Sequence, residues 1–168
     1  MAKNIILRKL EGSSIKRNVL DKSLLTLFCL LFYAWHIGFS ADVSWQHHVL
    51  FNFCHANIFH LIINLMVLWQ VQNRIPVVEA LLVSFLASYL PMYVSAPTMG
   101  LSGFLFAAFG IMWGKTGRAL DAMKAGLPFI FITMLLPNIN GLLHLYAYVL
   151  GYLLEYMCHA VNRLVRCV

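Results

Sequence analysis

Residues 55–71, HANIFHLIINLMVLWQV, contain an apolar run at 58–71, with His55 just before it and His60 and Asn64 within it. The chain contains six such runs, at residues 24–39, 58–71, 77–94, 101–113, 127–136 and 142–157. Short polar turns with Pro, Gly, Ser or Asn separate most of them. The pattern predicts six helices that are apolar over most of their surface.

The composition indicates which class of protein contains these runs. The 168 residues are 61% hydrophobic and 11% charged, whereas a soluble domain carries about 25% charged residues. Six spans of about 20 residues would leave under about 50 residues for every tail and loop. We therefore expect an all-α polytopic membrane protein, a six-transmembrane-helix bundle with no extra soluble domain.

The positions of the twelve basic residues predict an orientation. Six precede the first run, one follows the second, three follow the fourth and two follow the sixth. With six spans these segments share one side, which the positive-inside rule makes cytoplasmic. We expect a basic tail at 1–23, a membrane domain at 24–157 and a short basic tail at 158–168. The expected location is a bacterial inner membrane, with both termini cytoplasmic and the +6 charge marking topology rather than a nucleic-acid partner.

The fifth run is the weakest span. Pro128 lies near its start and Pro137 at its end, and proline interrupts the hydrogen bonds of a helix. The run reaches spanning length only if the amphipathic stretch from Arg118 belongs to the same helix. A re-entrant or mobile fifth helix stays open at this point.

Three polar groups converge under this topology at the outer ends of runs two, four and six. They are Gly100-Leu101-Ser102-Gly103, His144, and the set His55, His60 and Asn64. Singly, the Gly-x-Ser-Gly is interpretable as a close-packing face and each histidine as an interfacial residue. Together they offer a nucleophile, a base and donors for an oxyanion. His60 and Asn64 are four residues apart and so share one face of a helix.

At these residues the sequence resembles the rhomboid family of intramembrane serine proteases. The stretch 55–64, the Gly-x-Ser-Gly at 100–103, and His144 with Gly151 seven residues later match the family's motifs in order and spacing. The resemblance implies that Ser102 is the nucleophile and His144 the general base. It also implies an oxyanion hole of His60, Asn64 and the Ser102 N–H, with His55, Gly100, Gly103 and Phe106 in support.

Phe106 occupies a position where the family has a tyrosine that stacks on the histidine. The ring is kept and a hydroxyl is lost, so we expect stacking to persist. We also expect Gly103, Ala107 and Gly110 to let helix six approach helix four. By family analogy, the fifth helix is a candidate lateral gate with residues 138–141 as its cap. The first loop, residues 40–54, is short, and Trp45 is expected to anchor it in the membrane interface.

The resemblance implies an intramembrane serine endopeptidase that hydrolyses peptide bonds in or near the outer part of transmembrane segments by a Ser-His dyad. Its expected substrates are single-span or other membrane proteins, and we expect it to contact the lipid bilayer and to use no cofactor. The alternatives are a catalytically silent rhomboid-like protein that binds membrane clients, and a small transporter or channel subunit. We expect no metal, because His47, His48, His55 and His60 lack a His-Glu-x-x-His pattern or an acidic ligand. Cys54 as a thiol nucleophile is the weaker choice beside Ser102.

Overall fold

The computed structural model describes residues 2–35, 44–90, 99–136 and 139–166, and these are helical with no strand among them. The seven helices of the described residues are α1 (Ala2–Ala34), α2 (Trp45–Leu50), α3 (Ile58–Gln70), α4 (Val77–Ala87), α5 (Ser102–Gly114), α6 (Ala119–Leu135) and α7 (Gly141–Arg166). Residues 40–43 of the predicted first loop, and Pro137 and Asn138 at the predicted gate, lie outside the described residues.

Helices α5 and α7 form the centre of the bundle, and their backbones touch. A Cβ added to Gly110 would lie 2.1 Å from the Tyr148 carbonyl oxygen, and one added to Gly151 would lie 2.5 Å from the Ala107 carbonyl oxygen. Only glycine permits such an approach. Ala107 and Gly110 thus face α7 as the sequence predicted. Gly103 faces Phe51 instead, because a Cβ added there would lie 3.0 Å from the Phe51 ring.

Local sequence sets where the site-bearing helices begin and end. The Asn57 side chain caps α3 by accepting from the His60 N–H at 2.9 Å. After Pro76 the chain enters α4, and α6 continues through Pro128. The stretch after Arg118 therefore does belong to the fifth predicted helix.

Helix α1 is tied to the end of α3. The Asn18 side chain accepts from the Ile75 N–H at 3.3 Å, and Trp69 donates to the Thr26 hydroxyl at 3.1 Å. Lys22 is buried and donates to the Val71 carbonyl. One helix therefore runs through the predicted boundary at residues 23 and 24, and the three-part division of the chain stays a prediction.

The predicted six-transmembrane-helix bundle is wrong. None of the helices in the described part of the chain combines the length and the apolar character that crossing a membrane requires. Helices α3, α4, α5 and α6 have 13, 11, 13 and 17 residues, whereas a span needs about 20. The longer α1 and α7 contain charged and polar residues along their length.

Because the predicted spans are wrong, the predicted location in a membrane is wrong as well. An integral, multi-pass inner-membrane protein needs spanning helices, and the described residues supply none. The cytoplasmic placement of both termini came from distributing twelve basic residues over six spans, so that orientation is withdrawn too. Four of the six apolar runs form helices of 11 to 17 residues, which are shorter than a span requires.

Candidate active site

Ser102 and His144 are brought together at the ends of two adjacent helices. Ser102 is the first residue of α5, and His144 lies in the first turn of α7. The Ser102 Oγ and the His144 Nε2 are 2.8 Å apart, which is hydrogen-bond distance for a nucleophile and its base. The two residues are 42 positions apart in the sequence, so the fold creates the pair.

The His144 ring is held on its other sides as well. Phe106 stacks on it, with ring centroids 4.6 Å apart and an interplanar angle of 21°. The Thr133 hydroxyl of α6 lies 3.0 Å from the His144 Nδ1. His144 is 4% exposed, and burial, followed by the nearby His60, lowers its pKa to about 4. A buried neutral imidazole can accept a proton from a hydroxyl at neutral pH.

Thr133 escaped the sequence analysis. It lies in the fifth apolar run, 11 residues before His144, and no motif links the two positions. The one available signal was its hydroxyl within an otherwise apolar stretch, FIFITMLL at residues 129–136. Such a hydroxyl commonly bonds to its own helix, and the Thr133 hydroxyl also donates to the Ile130 carbonyl oxygen at 2.7 Å.

His60 and Asn64 line the same cavity as Ser102 and His144. Asn64 is buried and donates one amide hydrogen to the His60 carbonyl oxygen at 2.9 Å, which leaves its second amide hydrogen available to a substrate. Gly100, with φ 129°, brings the chain against both: a Cβ there would lie 2.6 Å from the His60 ring. A side chain at position 100 would therefore displace His60, and the positive φ is itself unfavourable for other residues.

His55 supports the nucleophile from behind. Its Nε2 accepts from the Leu101 N–H at 3.4 Å, and its Nδ1 lies 3.1 Å from the Phe53 carbonyl oxygen. The ring is therefore neutral, with its proton on Nδ1. Burial and the nearby His60 lower the pKa of His55 to about 4, against the raising effect of the bond to Phe53. His55 acts on the backbone beside Ser102 and does not line the cavity with it.

Asn52 is a second residue that the sequence analysis missed. It is 1% exposed, and its Oδ1 accepts from the Phe104 N–H at 3.0 Å. Its Nδ2 donates to the Ser84 hydroxyl of α4 at 2.8 Å. Asn52 thus caps the first turn of α5 from a distant part of the chain. Its signal in the sequence is a single amide between two phenylalanines.

The cavity below the pair has a volume of about 900 Å³ and lies between α3, α5, α6 and α7. Its polar lining residues include Ser102 and His144, and also Gln70 and Tyr148 farther along α3 and α7. Apolar side chains form most of the remaining wall. These include Ile63, Val67, Leu105, Phe109, Trp113, Phe129 and Ile132. Among the described residues, no charged side chain lines it, so the cavity suits an apolar occupant whose carbonyl reaches Ser102.

A second serine–histidine contact joins the His48 Nδ1 and the Ser88 Oγ at 2.7 Å, with Tyr89 stacked on the His48 ring, but this pair is buried and does not line the cavity. Burial raises the pKa of the Cys54 thiol to about 12, which keeps it a weak nucleophile. Within residues 2–35, 44–90, 99–136 and 139–166, no three His, Cys, Asp or Glu side chains are grouped as metal ligands. The prediction that the protein uses no metal and no cofactor remains a prediction.

No family model, no curated protein and no solved structure matches this chain. The resemblance to rhomboid proteases therefore stays a prediction from the motifs.

Proposed function

We propose that the chain is a serine endopeptidase that works through a Ser102–His144 dyad. The observation that carries the proposal is the 2.8 Å separation of the Ser102 Oγ and the His144 Nε2. Both groups line a cavity large enough for a substrate side chain or segment. The cavity that Ser102 and His144 share with His60 and Asn64 distinguishes this pair from the buried His48–Ser88 pair, which does not line it.

In the first half of the reaction, the His144 Nε2 takes the Ser102 hydroxyl proton as the Oγ attacks the peptide carbonyl carbon. The carbonyl oxygen becomes an oxyanion, which accepts from the Ser102 N–H, the free amide hydrogen of Asn64 and the His60 ring. The Ser102 N–H lies at the start of α5, where the helix dipole also favours negative charge. When the C–N bond breaks, His144 gives its proton to the leaving amine.

In the second half, His144 takes a proton from water as the water attacks the acyl-serine. The bond to the Ser102 Oγ then breaks, the oxygen recovers a proton from His144, and the carboxylic acid leaves. Ser102 and His144 return to their starting states. No acidic residue is needed, because Phe106 and Thr133 hold the imidazole by stacking and by a neutral hydrogen bond.

The apolar wall supports a substrate with large apolar side chains near the cut peptide bond. We infer that membrane-protein segments are one such substrate class, presented to the enzyme in unfolded or detergent-dispersed form. A helical segment must unwind before attack because its carbonyls are bonded within the helix. Gly or Pro close to the cut site should therefore speed cleavage.

The test is cleavage of a single-span test protein and of an unfolded apolar polypeptide by the purified chain. We expect Ser102→Ala and His144→Ala to abolish cleavage. Thr116→Ala and His159→Ala are matched controls: Thr116 is exposed beyond the end of α5, and His159 lies about 22 Å along α7 from His144. Both should retain cleavage.

Two results would contradict the proposal. One is cleavage that survives in Ser102→Ala. The other is binding of these polypeptides by wild type and Ser102→Ala alike, with no product from either. The second result would favour the client-binding alternative, which the apolar cavity also permits.

A further inference from the structure

The Thr133 hydroxyl has one hydrogen and two neighbours that compete for it. Its oxygen lies 2.7 Å from the Ile130 carbonyl oxygen and 3.0 Å from the His144 Nδ1. A carbonyl oxygen can only accept, whereas the His144 Nδ1 can donate or accept, so both contacts are hydrogen bonds only if the hydroxyl donates to Ile130. The Thr133 oxygen is then an acceptor toward His144, and the ring proton must sit on Nδ1.

This assignment decides which nitrogen faces the nucleophile. With the proton on Nδ1, the Nε2 of His144 has a free lone pair directed at the Ser102 hydroxyl, 2.8 Å away. The opposite tautomer would point an N–H at the serine and would need Thr133 to give up its bond to Ile130. Only the first tautomer can take the serine proton.

We propose that Thr133 is the positioning residue that fixes His144 in the tautomer able to act as a base. The proposal rests on the proposed function for its kinetic consequences, although the tautomer itself is independent of activity. During the reaction Nε2 gains and loses a proton while the Nδ1 proton stays on Nδ1. Thr133 therefore accepts a hydrogen bond throughout and exchanges no proton.

A second contact between α6 and α7 provides a matched control. The Tyr148 hydroxyl donates to the Ala122 carbonyl oxygen at 2.7 Å, about 16 Å along α6 from Thr133. Gly126 packs against the same tyrosine ring. Tyr148→Phe therefore removes a hydrogen bond that docks α6 on α7, and it leaves the bond to His144 in place.

Few groups of the described residues face His144 from the neighbouring helices. His60 of α3 is the titratable one. Helix α5 contributes Ser102 and Phe106, and α6 contributes Thr133, none of which is charged. A change in the titration of His144 after substitution of Thr133 is thus attributable to the lost hydrogen bond, provided that His60 titrates unchanged.

The first experiment is nitrogen-15 NMR of the full chain, with the His144 signals assigned by their loss in His144→Ala. We expect the wild type above pH 6 to show a protonated Nδ1 and an unprotonated Nε2. Thr133→Ser should keep this pattern, and Thr133→Val should give a mixture of tautomers. A wild type with its proton on Nε2 would overturn the proposal, whether or not the protein proves to be a protease.

The second experiment compares kcat and KM in the same variants. Thr133→Val should lower kcat about 10- to 100-fold with little change in KM, because a buried N–H loses its acceptor. The acid limb of the pH–rate profile of Thr133→Val should also shift to lower pH, because the His144 imidazolium loses its hydrogen-bond acceptor. Thr133→Ser should restore kcat to within about threefold. Equal effects of Thr133→Val and Tyr148→Phe on kcat and on the acid limb would reduce Thr133 to a docking contact and refute the proposal.

Discussion

The two ends of α5 are held by different interactions. At its start, the Gly100 N–H donates to the Phe51 carbonyl oxygen at 2.9 Å, and the Phe104 N–H donates to Asn52 at 3.0 Å. Further along, Gly110 and Gly114 place the helix backbone directly against α7. One end is fixed by directional hydrogen bonds and the other by close packing.

This difference indicates that the Ser102–His144 distance depends on two separate kinds of interaction, close packing and hydrogen bonds. Close packing sets how near the axes of α5 and α7 come, but it tolerates sliding and rotation. Hydrogen bonds to the first turn fix its rotation and height, and hence the direction of the Ser102 hydroxyl. Substitutions that disrupt the close packing and substitutions that remove the hydrogen bonds should therefore affect stability and activity differently.

The largest effect is expected from the packed end. Gly110→Ala adds a Cβ 2.1 Å from a backbone oxygen that cannot move alone, so the helices must separate. We expect a loss of about 2–4 kcal/mol in the free energy of unfolding, together with loss of activity. Urea unfolding and the cleavage assay measure the two effects.

The matched control is Gly126→Ala, whose new Cβ would meet the ring of Tyr148, 2.4 Å away. A side chain can turn aside, so this variant should lose less stability than Gly110→Ala. Equal losses in the free energy of unfolding would show that the backbone contact between α5 and α7 contributes no more to stability than the contact of Gly126 with the Tyr148 ring.

Breaking the hydrogen bonds at the start of α5 should lower activity more than it lowers the free energy of unfolding. Asn52→Leu keeps the volume and leaves the Phe104 N–H without its acceptor, at a cost of about 1–3 kcal/mol. We expect kcat to fall about tenfold or more because the first turn of α5 is no longer fixed. Ser84→Ala, which removes only the partner of the Asn52 amide, should have a smaller effect. A stable Asn52→Leu variant with full kcat would show that the hydrogen bond between Asn52 and the Phe104 N–H does not position Ser102.

The pH dependence tests the neutral histidines behind and beside Ser102. Burial and the nearby His60 lower the pKa of His55 and of His144 to about 4, against about 6.5 in an unfolded chain. Between about pH 6.5 and pH 4 the unfolded chain binds more protons, so the free energy of unfolding falls as the pH falls.

The activity should follow the same direction. A base that stays neutral down to about pH 4 keeps kcat/KM on its plateau well below pH 6. Rates and urea unfolding measured from pH 4 to pH 8 check both statements. An acid limb centred near pH 6.5 would contradict the burial of His144.

The smallest effect is expected from Phe106→Tyr. The ring already stacks on His144 at 4.6 Å and borders the cavity, so a hydroxyl has space and the stacking remains. We predict a change in kcat of less than about threefold. A change of tenfold or more in either direction would show that the hydroxyl itself positions His144.

The sequence predicted the local parts of this structure well. Runs 58–71 and 101–113 correspond closely to α3 and α5, because apolar runs bounded by a cap or by glycine are local signals. His60 and Asn64 were placed on one face from their spacing alone. Stacking of Phe106 on His144 was expected by analogy with the tyrosine of the rhomboid family.

The missed features depend on contacts between distant residues. Asn52 and Phe104 are 52 residues apart, and no spacing rule connects Thr133 of α6 with His144. The membrane prediction failed for a related reason. Composition and charge placement report on the whole chain, whereas spanning a membrane depends on the length and polarity of each single helix.

The most direct test of the Ser102–His144 dyad is labelling with a fluorophosphonate, followed by mass spectrometry of the modified peptide. We predict one adduct, on Ser102, formed at a rate that falls at least about 100-fold in His144→Ala because the serine loses its base. An adduct on another residue, or labelling of Ser102 at the same rate without His144, would contradict the dyad.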